Sequence, residues 1–340
     1  MQADRSIPTL DDVAKAAGVS TATVSRCLNL PERVAKTTLD RVLKAVKDLG
    51  YTPNFGARVM AARRTFTIGA IIPTMENAIF ARGLQAFQEE LRNHGYTLLV
   101  SSSAYRPDVE KDQIKALVAR GADGLLLIGY DREPEIYKYL EQQKVPVLIA
   151  WAFSKNHDQP SIGFNNRNSM RGLADQVIAL GHQHIGVISG ITDGNDRATQ
   201  RLEGIREAVQ KAGNNLDDLV VIETGFGIQN GANALDELLQ ASPRPTAVMC
   251  GNDVLAVGAL RRAKELGIDV PTDLSITGFD DIEIAQIVDP SLTTVHVPHR
   301  EMGRKAATKL VEMVERRSDG ASIELDTFLQ IRKSLVSPSS

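Results

Sequence analysis

The chain reads as an α/β protein: a small all-α headpiece, then a larger two-lobed core built on parallel sheets. Three observations carry that expectation. From Thr67 onward, short apolar runs alternate with amphipathic stretches of helical period. The segment before it holds three short helical patterns instead, and the charge divides at the same place. Residues 1–64 carry eleven Lys or Arg against six Asp or Glu, a net +5; the other 276 residues carry −8, giving −3 overall. A basic head on an acidic body suits a protein that meets a polyanion at one end only.

In the head, Thr9-Leu10-Asp11-Asp12 has the pattern of a capping box, and Leu10, Val13, Ala14 and Ala17 then recur on one helical face. Gly18 ends that helix and Val19 returns to the core. Ser20 caps a second helix over Thr21–Leu28, with Val24 and Leu28 inward. Two short helices joined through a glycine make a helix-turn-helix. Thr21, Ala22, Thr23, Ser25, Arg26 and Asn29 are left outward or at the start of the second helix, small, polar or cationic as a major groove requires. A third helix follows with Leu39, Val42, Leu43, Val46 and Leu49 on one face and Gly50 at its end. An ordinary three-helix bundle would satisfy the same periodicity.

With 340 residues, 43% of them hydrophobic, the chain has material for two or three compact units. Residues 1–8 lack the apolar run of a signal peptide, and no stretch approaches the ~18–20 apolar residues of a membrane helix. The two cysteines, Cys27 and Cys250, are far apart and fit a reducing compartment, so a cytoplasmic protein with no membrane partner is expected.

The run Leu10-Asp11-Asp12-Val13-Ala14-Lys15-Ala16-Ala17-Gly18-Val19-Ser20-Thr21-Ala22-Thr23-Val24-Ser25-Arg26-Cys27-Leu28-Asn29 resembles the helix-turn-helix of the lactose-repressor (LacI/GalR) family. Leu49-Gly50-Tyr51-Thr52-Pro53-Asn54 is similar to that family's join between headpiece and hinge, and the resemblance extends over essentially the whole chain. It implies a sequence-specific DNA-binding transcriptional regulator, a repressor, acting as a homodimer on a pseudo-palindromic double-stranded operator under allosteric control by a small metabolite. It implies DNA contacts from Thr9, Leu10, Ser20, Thr21, Ala22, Thr23, Ser25, Arg26 and Asn29, with Arg26 the candidate guanine reader. Asn54, Ala57 and Met60 would act from a hinge helix over 54–63 that folds on the operator. Met60 stands where the family has a leucine wedge, and an apolar methionine keeps that role open. Ala35 stands where a serine caps the third helix, and Leu39 where a basic residue is usual. The expected division is 1–53 headpiece, 54–65 hinge helix and linker, and 66–335 effector-binding core. Within the core the N-lobe covers about 66–164 and 296–324, the C-lobe about 165–294 and 325–335. Leu335–Ser340 shows no leucine heptads, so a tetramer-forming helix is not expected.

For the core, strands are expected at Ile68–Ile72, Thr97–Ser101, Gly124–Ile128, Val147–Ala150, His184–Ile188, Val220–Glu223, Ala247–Cys250 and Ser275–Gly278. Helices are expected between them, as at Phe80–His94 and Glu110–Arg120. Eight strands exceed one typical sheet, hence two lobes. The resemblance implies a periplasmic-binding-protein-like fold, with crossovers near Gly163–Asn166, Thr293–Val297 and Ile323–Thr327.

Ligands of such sheets bind beyond the carboxyl ends of the strands. Trp151, Phe226, Asn252 and Asp280 follow such ends, Phe80 opens the first helix of the core and Arg201 starts the motif Arg201-Leu202-Glu203-Gly204. The resemblance implies that all six are effector positions. A forked guanidinium beside amide and carboxylate acceptors suits a polyhydroxylated effector, a sugar or sugar acid ahead of a purine or other metabolite. Capping of the following helices is the lesser alternative for Asn252 and Asp280, while Trp151 could equally be core. Gly129 and Val297, also at effector positions, offer no polar side chain.

Two signals lead elsewhere. Gly225-Phe226-Gly227-Ile228-Gln229-Asn230-Gly231 comes near a dinucleotide fingerprint but is one residue too long and deep in the second lobe. His182-Gln183-His184 has no third metal ligand nearby. No nucleophile elbow, phosphate loop or paired-cysteine motif occurs, so no enzyme, cofactor or metal is expected. A solute-binding protein would share the core but has no use for the DNA-reading head.

Overall fold

The computed structural model describes residues 8–52, 64–76, 78–318 and 320–338, in two compact units, Met1–Thr65 and Phe66–Ser340. The hinge candidates Asn54, Ala57 and Met60 lie outside the described residues.

In the first unit α1 (Leu10–Ala17), α2 (Thr21–Asn29) and α3 (Lys36–Leu49) succeed one another. Thr9 Oγ1 accepts from Asp12 N at 3.3 Å while Asp12 Oδ2 accepts from Thr9 N at 2.9 Å, so the expected capping box is formed. Gly18, at φ 63°, turns the chain out of α1, and Ser20 Oγ accepts from Thr23 N at 3.2 Å to start α2. Val13, Ala14, Ala17, Val24, Cys27, Val42, Ala45 and Tyr51 form the core. The inward face of α3 is narrower than the periodicity predicts. Leu43 and Leu49 are 46% and 38% exposed, because Leu39, Val42, Ala45 and Val46 make the inner stripe and Tyr51 folds back beneath the last turn. Tyr51 is held there by its N–H on Val46 O at 3.0 Å.

Ala35 leaves the start of α3 without a side-chain cap, at φ −58° and ψ 134°. Ala35→Ser is therefore expected to stabilise α3 by about 1 kcal/mol. Amide hydrogen exchange at Thr38 and Leu39 checks it; unchanged protection factors would rule the cap out.

The second unit holds two parallel sheets. β1 (Thr67–Ile72), β2 (Thr97–Ser102), β3 (Gly124–Ile128), β4 (Val147–Ala150), β5 (Ser161–Gly163) and β11 (Ile323–Glu324) form a six-stranded sheet in the order β11-β5-β4-β3-β1-β2. β6 (Ile185–Gly190), β7 (Val220–Thr224), β8 (Ala247–Cys250) and β9 (Ser275–Thr277) form a four-stranded sheet in the order β7-β6-β8-β9. Every pairing in both is parallel. β1, β3, β4, β6 and β8 are buried along their length, which is why they read as unbroken apolar runs.

All eight expected strands are present, with ends shifted by at most two residues. β5, β11 and the antiparallel pair β10 (Thr294–His296) with β12 (Phe328–Gln330) were not expected as strands. At two or three residues each they are too short to show a period. They nevertheless fall where the chain passes between sheets. β5 leads into Asn166–Ala179 and on to β6; β9 leads through β10 into His299–Val314; β11 is followed directly by β12.

Three helix pairs cover the sheets: Ala78–Asn93 with His299–Val314, Asn166–Ala179 with Asp196–Lys211, and Ile228–Leu238 with Asp253–Glu265. Their close approach depends on glycine; a Cβ on Gly303 would overlap the Gly83 carbonyl of the facing helix. His182 has a structural position, with Nδ1 2.9 Å from Thr246 Oγ1 and Nε2 2.8 Å from Val336 O. No helix among the described residues is long and apolar enough to cross a membrane.

Candidate functional site

Thr21, Ala22 and Arg26 are exposed on α2, and Thr23 and Ser25 are half-buried beside them. Thr9 and Ser20 are exposed but their hydroxyls already cap α1 and α2, and Leu10 is half-buried against the headpiece core. Asn29 is the last residue of α2. The cationic and hydroxyl groups chosen from sequence thus lie along one short helix and its preceding turn.

In the second unit the six effector candidates, Phe80, Trp151, Arg201, Phe226, Asn252 and Asp280, line one cavity of about 30 Å³. Each is delivered by the carboxyl end of a strand or the helix that follows. Trp151 succeeds β4, Phe226 succeeds β7, Asn252 β8 and Asp280 β9; Phe80 opens the helix after β1, and Arg201 lies in the helix after β6. Sequence reasoning missed Tyr105, Ser189, Asn195 and Arg197, which line the same cavity. Tyr105 follows β2 by three residues, so the strand-end rule that pointed to Trp151, Phe226, Asn252 and Asp280 applies to it as well.

Arg201 organises the polar side. Its Nε donates to Asn166 Oδ1 at 2.9 Å, Nη1 to the Gly251 carbonyl at 2.6 Å, and Nη2 to Asp280 Oδ1 at 3.4 Å. Its guanidinium lies 3.7 Å above the Phe279 ring centre. Burial pushes the Asp280 carboxyl up to about 6, with Arg201 beside it opposing the shift. The cap expected as an alternative for Asn252 is formed: Oδ1 caps Asp253–Glu265 by accepting from Leu255 N at 2.9 Å, while the buried Nδ2 has no protein partner. Asp280 caps no helix, and its Oδ2 is likewise buried without a partner. A buried donor and acceptor left unsatisfied are costly unless something else meets them, and both belong to residues that line the cavity.

Trp151 is both core and wall, 2% exposed, with its ring edge-on to Phe80 at 5.4 Å. Tyr105 and Phe226 stack at 5.1 Å and close another side. Tyr105, Trp151 and Asp280 all hold φ in the left-handed region, at 57°, 60° and 104°. Such backbone in non-glycine residues persists only where surrounding contacts fix it. Beside the cavity Asp196 Oδ2 accepts from Tyr130 N at 2.8 Å, and Arg197 Nη1 donates to the Ile128 carbonyl at 3.0 Å. These bonds join the helix after β6 to the end of β3 and hold the two sheets' strand ends together. Gly129, at φ 71°, makes room, since a Cβ there would overlap both side chains.

The Phe226 ring occupies the space that a Cβ on Gly190 would need. Gly190→Ala is expected to displace the ring and destabilise this unit by about 1–3 kcal/mol. Urea unfolding measures the loss; a midpoint equal to wild type would mean the ring moves freely.

Residues 9–54 match the family described as bacterial regulatory proteins, lacI family, and residues 174–335 match a periplasmic binding protein-like domain. Over 328 residues, 96% of each chain, the protein is 34% identical to the HTH-type transcriptional repressor CytR of Escherichia coli (strain K12). It belongs to the lacI family. The family's architecture extends to the three-dimensional structure, which superposes on a lac repressor dimer bound to operator and the anti-inducer ONPF with a TM-score of 0.86. That match has 26% identity and covers 97% of this chain and 100% of the other. A CelR–cellobiose complex matches with a TM-score of 0.72 and 28% identity over 96% of this chain and 99% of that one. As a lacI-family protein the chain is a DNA-binding transcriptional regulator, with a helix-turn-helix head and a two-lobed ligand-binding core.

Proposed function

We propose that this regulator is a cytoplasmic homodimeric repressor whose hold on a pseudo-palindromic operator is set by a small effector in the cavity around Arg201. The observation that carries the reading is that Asn252 and Asp280, which line a cavity walled by aromatic rings, each keep a buried side-chain atom, Nδ2 and Oδ2, without a partner. A free donor and a free acceptor suit the hydroxyls of a sugar. Both arginines already have a carboxylate, Arg201 with Asp280 and Arg197 with Asp196, so an uncharged sugar is favoured over a sugar acid. The CelR relative bound to cellobiose supports the same class.

At about 30 Å³ the cavity has room for about one water molecule. An effector of sugar size therefore enters only if Tyr105 and Phe226 part and the Asp196 and Arg197 bonds to the facing sheet are released. Binding of effector and operator are then coupled, each altering the other's affinity by the same factor. The DNA-reading groups are Thr21, Ala22, Thr23, Ser25, Arg26 and Asn29, with Thr9, Leu10 and Ser20 at the helix ends and Asn54, Ala57 and Met60 in the hinge. Met75, Ile228 and Ile287, at 61%, 40% and 81% exposure, line an apolar groove and support pairing of two copies. No constellation for catalysis accompanies the cavity, and the protein is read as a switch rather than an enzyme. A purine is the second reading, favoured by the four aromatic rings of Phe80, Tyr105, Trp151 and Phe226.

The test is a gel-shift titration on the promoter beside the coding region, at two salt concentrations, with cellobiose, D-ribose, D-gluconate and adenosine added in turn. Sequence-preferring, salt-sensitive binding altered by a neutral sugar is expected. Response to gluconate alone would reverse the charge argument, and response to adenosine alone would select the second reading.

A further inference from the structure

His299 lies just outside the residues lining the cavity, at the start of the helix His299–Val314 and immediately after the second crossover, and it is 4% exposed. We propose that His299 is the positioning residue of the effector cavity: a neutral imidazole, protonated on Nε2, that locks the Trp151 indole and the Asp280 main chain into one frame. The proposal rests on the reading of that cavity as the effector site.

The partners dictate the tautomer. Trp151 Nε1 lies 3.2 Å from His299 Nδ1, and an indole N–H only donates. His299 Nε2 lies 3.1 Å from the Asp280 carbonyl oxygen, which only accepts. Nδ1 must therefore be the bare nitrogen and Nε2 must carry the proton. A second proton would set a donor against the indole donor, and burial independently pushes the imidazole down to about 4.

These two bonds close a ring. The Trp151 carbonyl accepts from Asn166 Nδ2 at 3.0 Å, and Asn166 Oδ1 accepts from Arg201 Nε at 2.9 Å. Arg201 Nη2 reaches Asp280 Oδ1 at 3.4 Å, and the Asp280 carbonyl returns through His299 to Trp151. Trp151 belongs to the end of the six-stranded sheet and Asp280 to the end of the four-stranded one, while Asn166 ends the stretch from β5 to the next helix and His299 begins the helix after β10. The ring thus links both sheets through the segments that must bend when they move apart. Both residues that His299 holds have left-handed φ, at 60° and 104°, a conformation that needs external support.

The two bonds can be cut separately. Asparagine places an acceptor where Nδ1 is, and glutamine places a donor where Nε2 is. His299→Asn therefore keeps the Trp151 link, His299→Gln keeps the Asp280 link, and His299→Leu keeps neither. Trp151 is the only tryptophan in the chain, so ¹⁵N-tryptophan labelling of the full-length protein gives a single indole signal. Imidazole ¹⁵N shifts in the wild type are expected to report the Nε2–H tautomer. Solvent exchange of the indole proton is expected to be slow in wild type and His299→Asn, and at least tenfold faster in His299→Gln and His299→Leu. An Nδ1–H tautomer, or one exchange rate in all four proteins, would overturn the proposal.

A merely structural histidine would not divide the indole signal in that way. For the effector arm, cellobiose, D-ribose and adenosine serve as probes in isothermal titration. The probe that binds wild type is expected to lose about three- to tenfold in affinity for each bond removed. Wild-type affinity in His299→Leu would overturn the positioning role. If no probe binds wild type, the sugar-or-purine reading of the cavity fails, and the tautomer and exchange rates still decide whether His299 holds Trp151 and Asp280.

Discussion

Arg201→Ala is expected to destabilise the second unit by about 3–5 kcal/mol, the typical cost of removing one partner from a buried ion pair. Three buried acceptors lose their donor together: Asn166 Oδ1, the Gly251 carbonyl and Asp280 Oδ1. Asp280 then keeps only the weaker influence of Arg197 and rises further toward the protonated form, which limits the loss. For a unit of this size the fall in Tm is on the order of 10 °C. Arg201→Lys should rescue little, because an ammonium cannot present the fork that meets three acceptors in fixed directions. Effector binding should fall with stability, and operator release by the effector should be lost. Calorimetry on wild type and both variants checks this; a Tm within a degree or two for Arg201→Ala would show that Arg201 is not the centre of the polar frame.

Why Asn252 and Asp280 could be found in the sequence, and His299 could not, follows from how each is positioned. Arg201, inside a helix, is legible only through the family resemblance of Arg201-Leu202-Glu203-Gly204. The strands carrying the site are buried on both faces, so their ends are visible as the ends of apolar runs. Asn252 and Asp280 stand within three residues of such ends. Tyr105 stands equally close after β2, but half of that strand is exposed and its end is less marked. His299 follows a three-residue strand with no visible period, and its partners are 148 and 19 residues away in sequence. Nothing local marks such a residue. The headpiece shows the opposite error. Leu43 and Leu49 satisfy a helical stripe on paper, but Ala45 and Tyr51 take the inner positions and leave the leucines at the surface. Periodicity identifies a face and not its width.

The same chemistry predicts an unusual pH profile. The Asp280 carboxyl is pushed by burial from 3.8 up to about 6, and the His299 imidazole by burial from 6.5 down to about 4. Between about pH 4 and about pH 6 the folded chain keeps a proton on Asp280 that the unfolded chain has released. Stability from this group therefore falls as pH rises. His299 acts in the opposite sense: between about pH 4 and about pH 6.5 the unfolded chain binds a proton that the folded chain does not, so stability rises with pH. Each displacement is about two pH units, on the order of 3 kcal/mol across the window. Being opposite in sign, the two nearly cancel in the wild type. Asp280→Asn leaves the imidazole contribution alone, so the variant should gain stability with rising pH more steeply than wild type. His299→Gln leaves the carboxyl contribution alone, so its stability relative to wild type should decline over the same range. Urea unfolding of the three proteins from about pH 4 to about pH 7 reads the slopes directly, with the other carboxylates common to all and cancelling in the differences. Parallel curves for His299→Gln and wild type would mean that the fold does not hold the imidazole neutral. A divergence in the predicted senses would tie both groups to the closed frame around the cavity.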